Sequence, residues 1–220
     1  MLLRSIYLYL YSDDYPQVLI SEFGFRTRYL CNFVQRRIRG LKFESDGFNM
    51  IGVQGRLKPL DACSVVSEKC LLSTVAFDQP QFQSLQAEER HEFFIAMLTS
   101  GVQKCASQHS IPLLEITSAI NEFRAAGYRN EWTFEDKLLR PVGIRAALMC
   151  RLTTEKFVLS LRLSAKGMKL WEEQILETLP DEIIFAHKFK SVALKDDAIV
   201  VLDKFGNETY SVDLARLPRQ

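Results

Sequence analysis

A chain of 220 residues, 47% hydrophobic and 25% charged, has apolar mass for one large core or two small ones, and this composition excludes wholesale disorder. Its 28 basic and 27 acidic residues leave a formal charge of +1, so the chain as a whole projects no strong field toward nucleic acid, an anionic membrane or a basic partner. Any electrostatic recognition must be local.

No stretch reaches the roughly 18 consecutive apolar residues of a membrane-spanning helix, and Met1-Leu2-Leu3-Arg4 leads into a tyrosine-rich strand rather than a signal peptide. The expectation is a soluble, cytoplasmic protein with no membrane contact. Cys31, Cys63, Cys70, Cys105 and Cys150 are odd in number and scattered, and none is at CxxC spacing. They suit free thiols in a reducing compartment and give no support to a disulfide scaffold or a metal site. Nothing in the chain calls for a cofactor.

In chain order, residues 5–11 alternate aliphatic and tyrosine side chains, a strand with Ile6, Leu8 and Leu10 on one face and Tyr7, Tyr9 and Tyr11 on the other. Asp13-Asp14-Tyr15-Pro16 is a turn signal, after which Gln17–Phe23 reads as a second strand returning along the first. From Arg28 the period becomes helical, with Leu30, Phe33, Val34, Ile38 and Leu41 on one stripe and Gly40 as the stop. Residues 48–54 and 69–77 read as further strands, separated by a loop containing Pro59.

The middle is helical. Glu88, Glu89 and Glu92 open a segment whose apolar face is Phe93, Phe94, Met97, Leu98 and Val102, acidic residues being favoured at the positive end of a helix dipole. Pro112 opens a second helix with the stripe Leu113, Ile116, Ile120 and Phe123, and Gly127 ends it. Met168–Leu179 reads either as a third helix or as a strand. From Ile144 to Leu214 strand–turn–strand units follow one another: Ile144–Leu152 and Phe157–Leu163 around a short polar turn, Ser191–Leu194 and Ala198–Leu202 around Lys195-Asp196-Asp197, then Thr209–Leu214. Strands joined so tightly must be antiparallel, because a parallel return needs a crossover of a dozen residues or more. The expected fold is α+β, a mainly antiparallel sheet of C-terminal hairpins with the central helical pair packed on it, over one domain of residues 1–220. A subdivision into 1–127 and 128–220 is the alternative.

Of the three histidines, His91 lacks the second His four residues on that a zinc-protease helix needs, His109 lies between the two helices, and His187 reads as a core or sheet-edge residue on a strand with Ile183, Phe185 and Phe189. Gly52 and Gly55 ahead of Arg56 and Lys58 have the GxxG spacing of one kind of nucleic-acid backbone clamp. Such a clamp joins two helices, whereas these glycines follow a strand and precede Pro59, so a strand-end turn is the simpler reading. Arg36, Arg39 and Lys42 are spaced to share one surface for an anion, although basic residues near a helix C-terminus are stabilising whatever the function. Read as exposed helix-end charges, Arg36 and Arg39 are expected to matter little for stability. In Asn130–Lys137, Glu131, Thr133 and Glu135 face one way along a strand and Trp132, Phe134 and Asp136 the other.

No catalytic pattern is assembled, so no residue is assigned a catalytic role. The functional expectation is a non-enzymatic protein-binding protein of bacterial type, specifically an immunity protein that neutralises a toxin domain. Its candidate contacts are Tyr7, Tyr9, Tyr11, Glu131, Trp132 and Glu135, since aromatic residues carry much interface energy. Nucleic acid is disfavoured as a partner. The alternative is an enzyme or RNA-contacting protein whose site gathers Arg36, Arg39 and Lys42 with His91, His109 or the Glu131/Glu135 pair.

Overall fold

The computed structural model describes residues 1–218. The fold is α+β, and the described chain forms two units, one ending at Asn130 and the other beginning at Glu131.

The first unit opens with strand β1 (Ser5–Leu10), helix α1 (Gln17–Leu41) and strand β2 (Met50–Arg56), with β1 and β2 parallel. Strand β3 (Ser64–Val66) and strand β4 (Cys70–Ala76) follow; β4 lies parallel to β2 on one side and antiparallel to β3 on the other, giving the order β1-β2-β4-β3. This sheet is mainly parallel, which hairpin reasoning does not anticipate: α1 supplies one crossover, and the loop through Pro59 with β3 supplies the other. Helices α2 (Gln79–Ser84), α3 (Glu89–Ala106) and α4 (Leu113–Ala125) complete the unit, α3 packing on β4 and β2 and α4 on α1 and α3. The sheet beneath the helical pair is thus this parallel one.

Register places Ile6, Leu8, Ile51, Val53 and Leu71 on the face that takes the helices. Contact there is close enough that a Cβ built on Gly101 of α3 would fall 2.4 Å from Val53 Cγ1. Phe23, Phe77, Phe82 and Phe94 meet one another in edge-to-face or tilted pairs 5.2–5.9 Å apart, the geometry preferred by ring quadrupoles.

Two local expectations are corrected. Residues 17–23 are the first turns of α1 rather than a returning strand: Pro16 sits at the N-cap, and Leu19, Phe23, Thr27 and Leu30 form a buried stripe at helical spacing. The helix also runs through Gly40, and the left-handed cap residue is Lys42, at φ 50°.

The second unit contains the meander β5 (Asn130–Leu139, whose first residue closes the first unit), β6 (Ile144–Leu152), β7 (Phe157–Ala165) and β8 (Met168–Thr178) as one sheet in that order. β6–β7 and β7–β8 are antiparallel, with register shifts in β7–β8 at Leu159/Ser160 and Leu163/Ser164. The short helix α5 (Glu182–Phe185) leads into a three-stranded antiparallel sheet of β9 (Ser191–Lys195), β10 (Ala198–Leu202) and β11 (Glu208–Asp213). Met168–Thr178 is therefore a strand. Residues 183–189 are not: Phe185 ends α5 and stacks on Phe157 at 3.7 Å, while Ile183 and His187 are exposed. Four residues of helix are too few to leave a periodic signature.

β1 is paired on one side only, and α1 closes its other edge. Thr27 Oγ1 donates to Leu8 O at 2.9 Å, Gln35 Nε2 to Ile6 O at 2.7 Å, and Arg39 Nε to Arg4 O at 3.0 Å. Thr27 and Gln35 are buried, so Thr27→Val or Gln35→Leu strands a buried carbonyl with no donor. Each is expected to lower unfolding free energy by about 1–3 kcal/mol in urea denaturation. Wild-type stability in both variants would show that the edge is satisfied some other way.

Candidate functional site

Strand periodicity sets Tyr7, Tyr9 and Tyr11 in a row on the sheet face turned away from α3, beside Gly52, Gln54 and Arg56 of β2. All three tyrosines are half-buried. The Arg28 guanidinium lies 4.9 Å from the Tyr7 ring centroid, and that of Arg56 lies 3.8 Å from Tyr11. Tyr11 Oη donates to Asp13 Oδ2 at 2.8 Å, and this bond to a carboxylate, with the Asp13 charge, raises the Tyr11 pKa. Asp14 Oδ2 accepts from Leu57 N at 2.9 Å and stands 3.6 Å from Arg56 Nε, which holds the strand end together.

Tyr9 is different. A Cβ on Gly52 would lie 3.0 Å from Cys70 Sγ and 3.1 Å from Tyr9 Oη, so the phenol and the thiol crowd a position where a larger residue would push one of them aside by a few tenths of an ångström. Burial first, then Cys70, pushes the Tyr9 hydroxyl up to about 12, so the ring stays neutral. Gly55 is likewise inside β2, packed under Leu10, Phe77 and Met97. The two glycines are thus close-packing positions within a strand and not a strand-end turn.

The basic stretch of α1 is spent inside the unit. Arg36 Nη2 hydrogen-bonds to Asn130 Oδ1 and its Nε donates to Asn32 Oδ1 at 3.3 Å. Asn130 is 1% exposed and donates in turn to Tyr29 O at 2.7 Å, so Arg36 satisfies a buried amide. Arg37 pairs with Glu122 at 2.9 Å, Arg39 caps Arg4 O, and Lys42 is exposed at the helix cap. Arg36→Ala is accordingly expected to cost about 1–3 kcal/mol in chemical denaturation. Arg39→Ala, which removes an exposed donor, should cost about 0.5 kcal/mol or less. Equal small losses would return Arg36 to the role of a solvated charge.

On β5, Glu131 and Thr133 are exposed, but Glu135 accepts Val192 N at 2.6 Å while Lys137 donates to Val192 O at 3.1 Å. The Glu135 carboxylate thus joins β5 to β9 rather than sharing an open face with Glu131. Trp132 is half-buried, with its ring 6.2 Å from Phe157. His187 lines a 370 Å³ cavity with Lys188, Asp203 and Tyr210 over Leu159 and Leu176. His109 meets Phe48 edge-on at 6.3 Å.

Sequence reasoning misses one polar cluster, because its members come from three helices and a turn. The Tyr29 hydroxyl bonds to His91 Nδ1, and the His91 ring stacks 4.5 Å from Tyr128. Tyr128 Oη donates to Glu92 Oε1 at 2.9 Å, and Arg124 grips Glu92 with Nε and Nη2 at 2.9 and 2.8 Å. Burial raises the Tyr29 pKa and lowers that of His91, which favours the neutral phenol and the neutral imidazole in this contact. The Arg124 hydrogen bonds hold the Glu92 carboxyl below its usual range.

The lowered His91 pKa fixes the sign of a pH effect. With a folded value below 6.5, the unfolded chain takes up the proton first as pH falls. The contribution of His91 is full above about pH 6.5 and is lost as pH falls through the folded pKa. In an NMR titration the His91 resonance is expected to titrate below 6.5, and His91→Phe should flatten the loss of Tm between roughly pH 7 and 5. A titration at or above 6.5 would overturn the assignment.

Comparison of the chain with protein-family models, with curated proteins and with solved structures finds no match to any of the three.

Proposed function

We propose that this chain acts by binding a protein partner, with the tyrosine row of β1 as the contact, and that the partner is a toxin domain which it neutralises. The observation that carries the reading is the row itself: three consecutive outward positions of one strand hold partly accessible tyrosines, and arginines stack on the outer two. Tyrosine and arginine are enriched at interfaces, offering large rigid rings and a planar, weakly hydrated cation. Because α3 packs on the opposite face, the row is not consumed by the helical layer. A net charge of +1 suits a partner near neutrality better than a strongly basic nuclease, toward which an acidic inhibitor would be steered faster.

The alternative site built on Arg36, Arg39 and Lys42 would need arginines already engaged with Asn130 and with Arg4 O. Its histidine partners, His91 and His109, have aromatic neighbours, and the Glu135 carboxylate is held by Val192 N.

The test uses the full chain as bait, with Tyr7→Ala/Tyr11→Ala as the comparison; Tyr9 is left intact because it packs over Gly52. The expected outcome is one stoichiometric protein partner whose affinity falls at least about tenfold in the double variant, with circular dichroism unchanged. Co-expression should relieve the partner's growth inhibition with the wild type and not with the variant. Undiminished capture by the variant, or recovery of RNA instead of protein, would sink the proposal.

A further inference from the structure

Two of the five thiols stand together. Cys105, near the C-terminal end of α3, is buried, and Cys63, in the loop between β2 and β3, is half-buried; their Sγ atoms are 3.9 Å apart. The loop is fastened to α3 by side chains of the helix end. Lys104 Nζ donates to Leu60 O at 2.5 Å and to Thr74 O at 2.8 Å, Gln108 Oε1 accepts from Cys63 N at 2.8 Å, and Gln108 Nε2 donates to Asp61 O at 3.1 Å. Cys63 is therefore held beside Cys105 by bonds that do not involve either sulfur. A disulfide needs about 2.05 Å between sulfurs, so the two Sγ atoms, 3.9 Å apart, must close by about 2 Å for the bond to form.

We propose that Cys63 and Cys105 form a redox-modification site, a reduced dithiol that a low-molecular-weight disulfide converts to an intrachain disulfide locking the 57–63 loop onto α3. The half-buried Cys63 reacts first. Its thiolate attacks one sulfur of the small disulfide and expels one thiolate, leaving a mixed disulfide on Cys63. Cys105 then loses its proton to solvent and attacks the Cys63 sulfur, which expels the second small thiolate. Both expelled thiolates take up protons, so one small disulfide is reduced to two thiols while the protein loses two hydrogens.

The geometry also assigns the order of attack. Burial raises the Cys105 thiol well above its ordinary range, with the neighbouring Cys63 as a further cause, which keeps Cys105 protonated and slow until a mixed disulfide is held against it. Cys70 is the competing thiol, but its sulfur lies over Gly52 beside Tyr9 on the other face of the sheet. Closing a bond across the sequence from 63 to 105 removes freedom from the unfolded chain, so oxidation should raise Tm on the order of 10 °C.

The experiment equilibrates the full reduced chain with graded ratios of reduced to oxidised glutathione, alkylates the remaining thiols and maps peptides without reduction. Two thiols should disappear together, a single Cys63–Cys105 peptide pair should appear, Tm should rise, and dithiothreitol should reverse all three. Cys63→Ser should abolish the cross-link and the Tm shift, whereas Cys70→Ser should keep both. Cys105→Ala should stop at a stable glutathione adduct on Cys63; should that buried change prevent folding, Cys63→Ser still decides. Cross-linking to Cys70 or to a second chain, a persistent glutathione adduct on the wild type, or thiols that stay reduced at the most oxidising ratio would each overturn the proposal.

Discussion

The first unit depends on how the open edge of β1 is closed. An edge strand displays unpaired carbonyls and amides, and a buried carbonyl without a donor costs more than a typical hydrogen bond contributes. Here the carbonyls of Arg4, Ile6 and Leu8 all accept from α1, whose Arg39, Gln35 and Thr27 run antiparallel to the strand. Two residues of strand advance about 6.6 Å, close to the 6 Å of the four helical residues from Gln35 to Arg39, whereas the eight helical residues from Thr27 to Gln35 span about 12 Å. Long polar side chains absorb the difference. Once α1 lies there, β1 presents no edge for another strand, and its remaining surface is the tyrosine face.

That closure also decides what the arginines of α1 do. Arg39 is a strand cap, Arg37 pairs with Glu122 of α4, and Arg36 completes the hydrogen bonding of Asn130 at the end of the unit. A run that reads as an anion surface is in large part a set of staples between a long helix and its neighbours. Guanidinium suits this use because its donors fan out in one plane and reach several acceptors at once.

What was legible in the chain follows from the range of the interactions. β6 and β7 announce themselves because hairpin pairing is local and one face of each is mostly buried, which imprints period two on the sequence, while β9 and β10 are marked by the polar turn between them. The parallel pairing of β1 with β2 and of β2 with β4 leaves no local mark. The first half of α1 was hidden because its buried stripe contains Thr27, and Gln35 later interrupts it again; both are polar for the sake of β1's carbonyls, so an apolar count fails there. β8 was ambiguous because most of its residues are exposed or half-exposed on both faces, so no alternation is imposed. The tyrosine row was readable from periodicity alone, but Arg28, Arg56 and Cys70 reach it from other elements. The His91 cluster, assembled from α1, α3, α4 and the turn after it, had no signal at any single spacing.

The tyrosine face and the dithiol are linked by the loop after β2. Arg56, which stacks on Tyr11, is the last residue of β2, and the chain then runs directly through Leu57 and Leu60 to Cys63. Leu57 N is held by Asp14, beside the Tyr11–Asp13 pair, while the other end of the segment is held by Lys104 of α3 and by Gln108 just past its end. A loop anchored at both ends has little slack to lose. Tightening it by a covalent bond at Cys63 therefore acts mainly on how often the loop opens and not on where it rests. Between its anchors the loop exposes Leu57 and Leu60 at 63% and 53%, next to the strand end that carries Tyr11. Oxidation would thus hold two apolar side chains in place at the border of the proposed contact, lowering the entropy that a partner must overcome to order them.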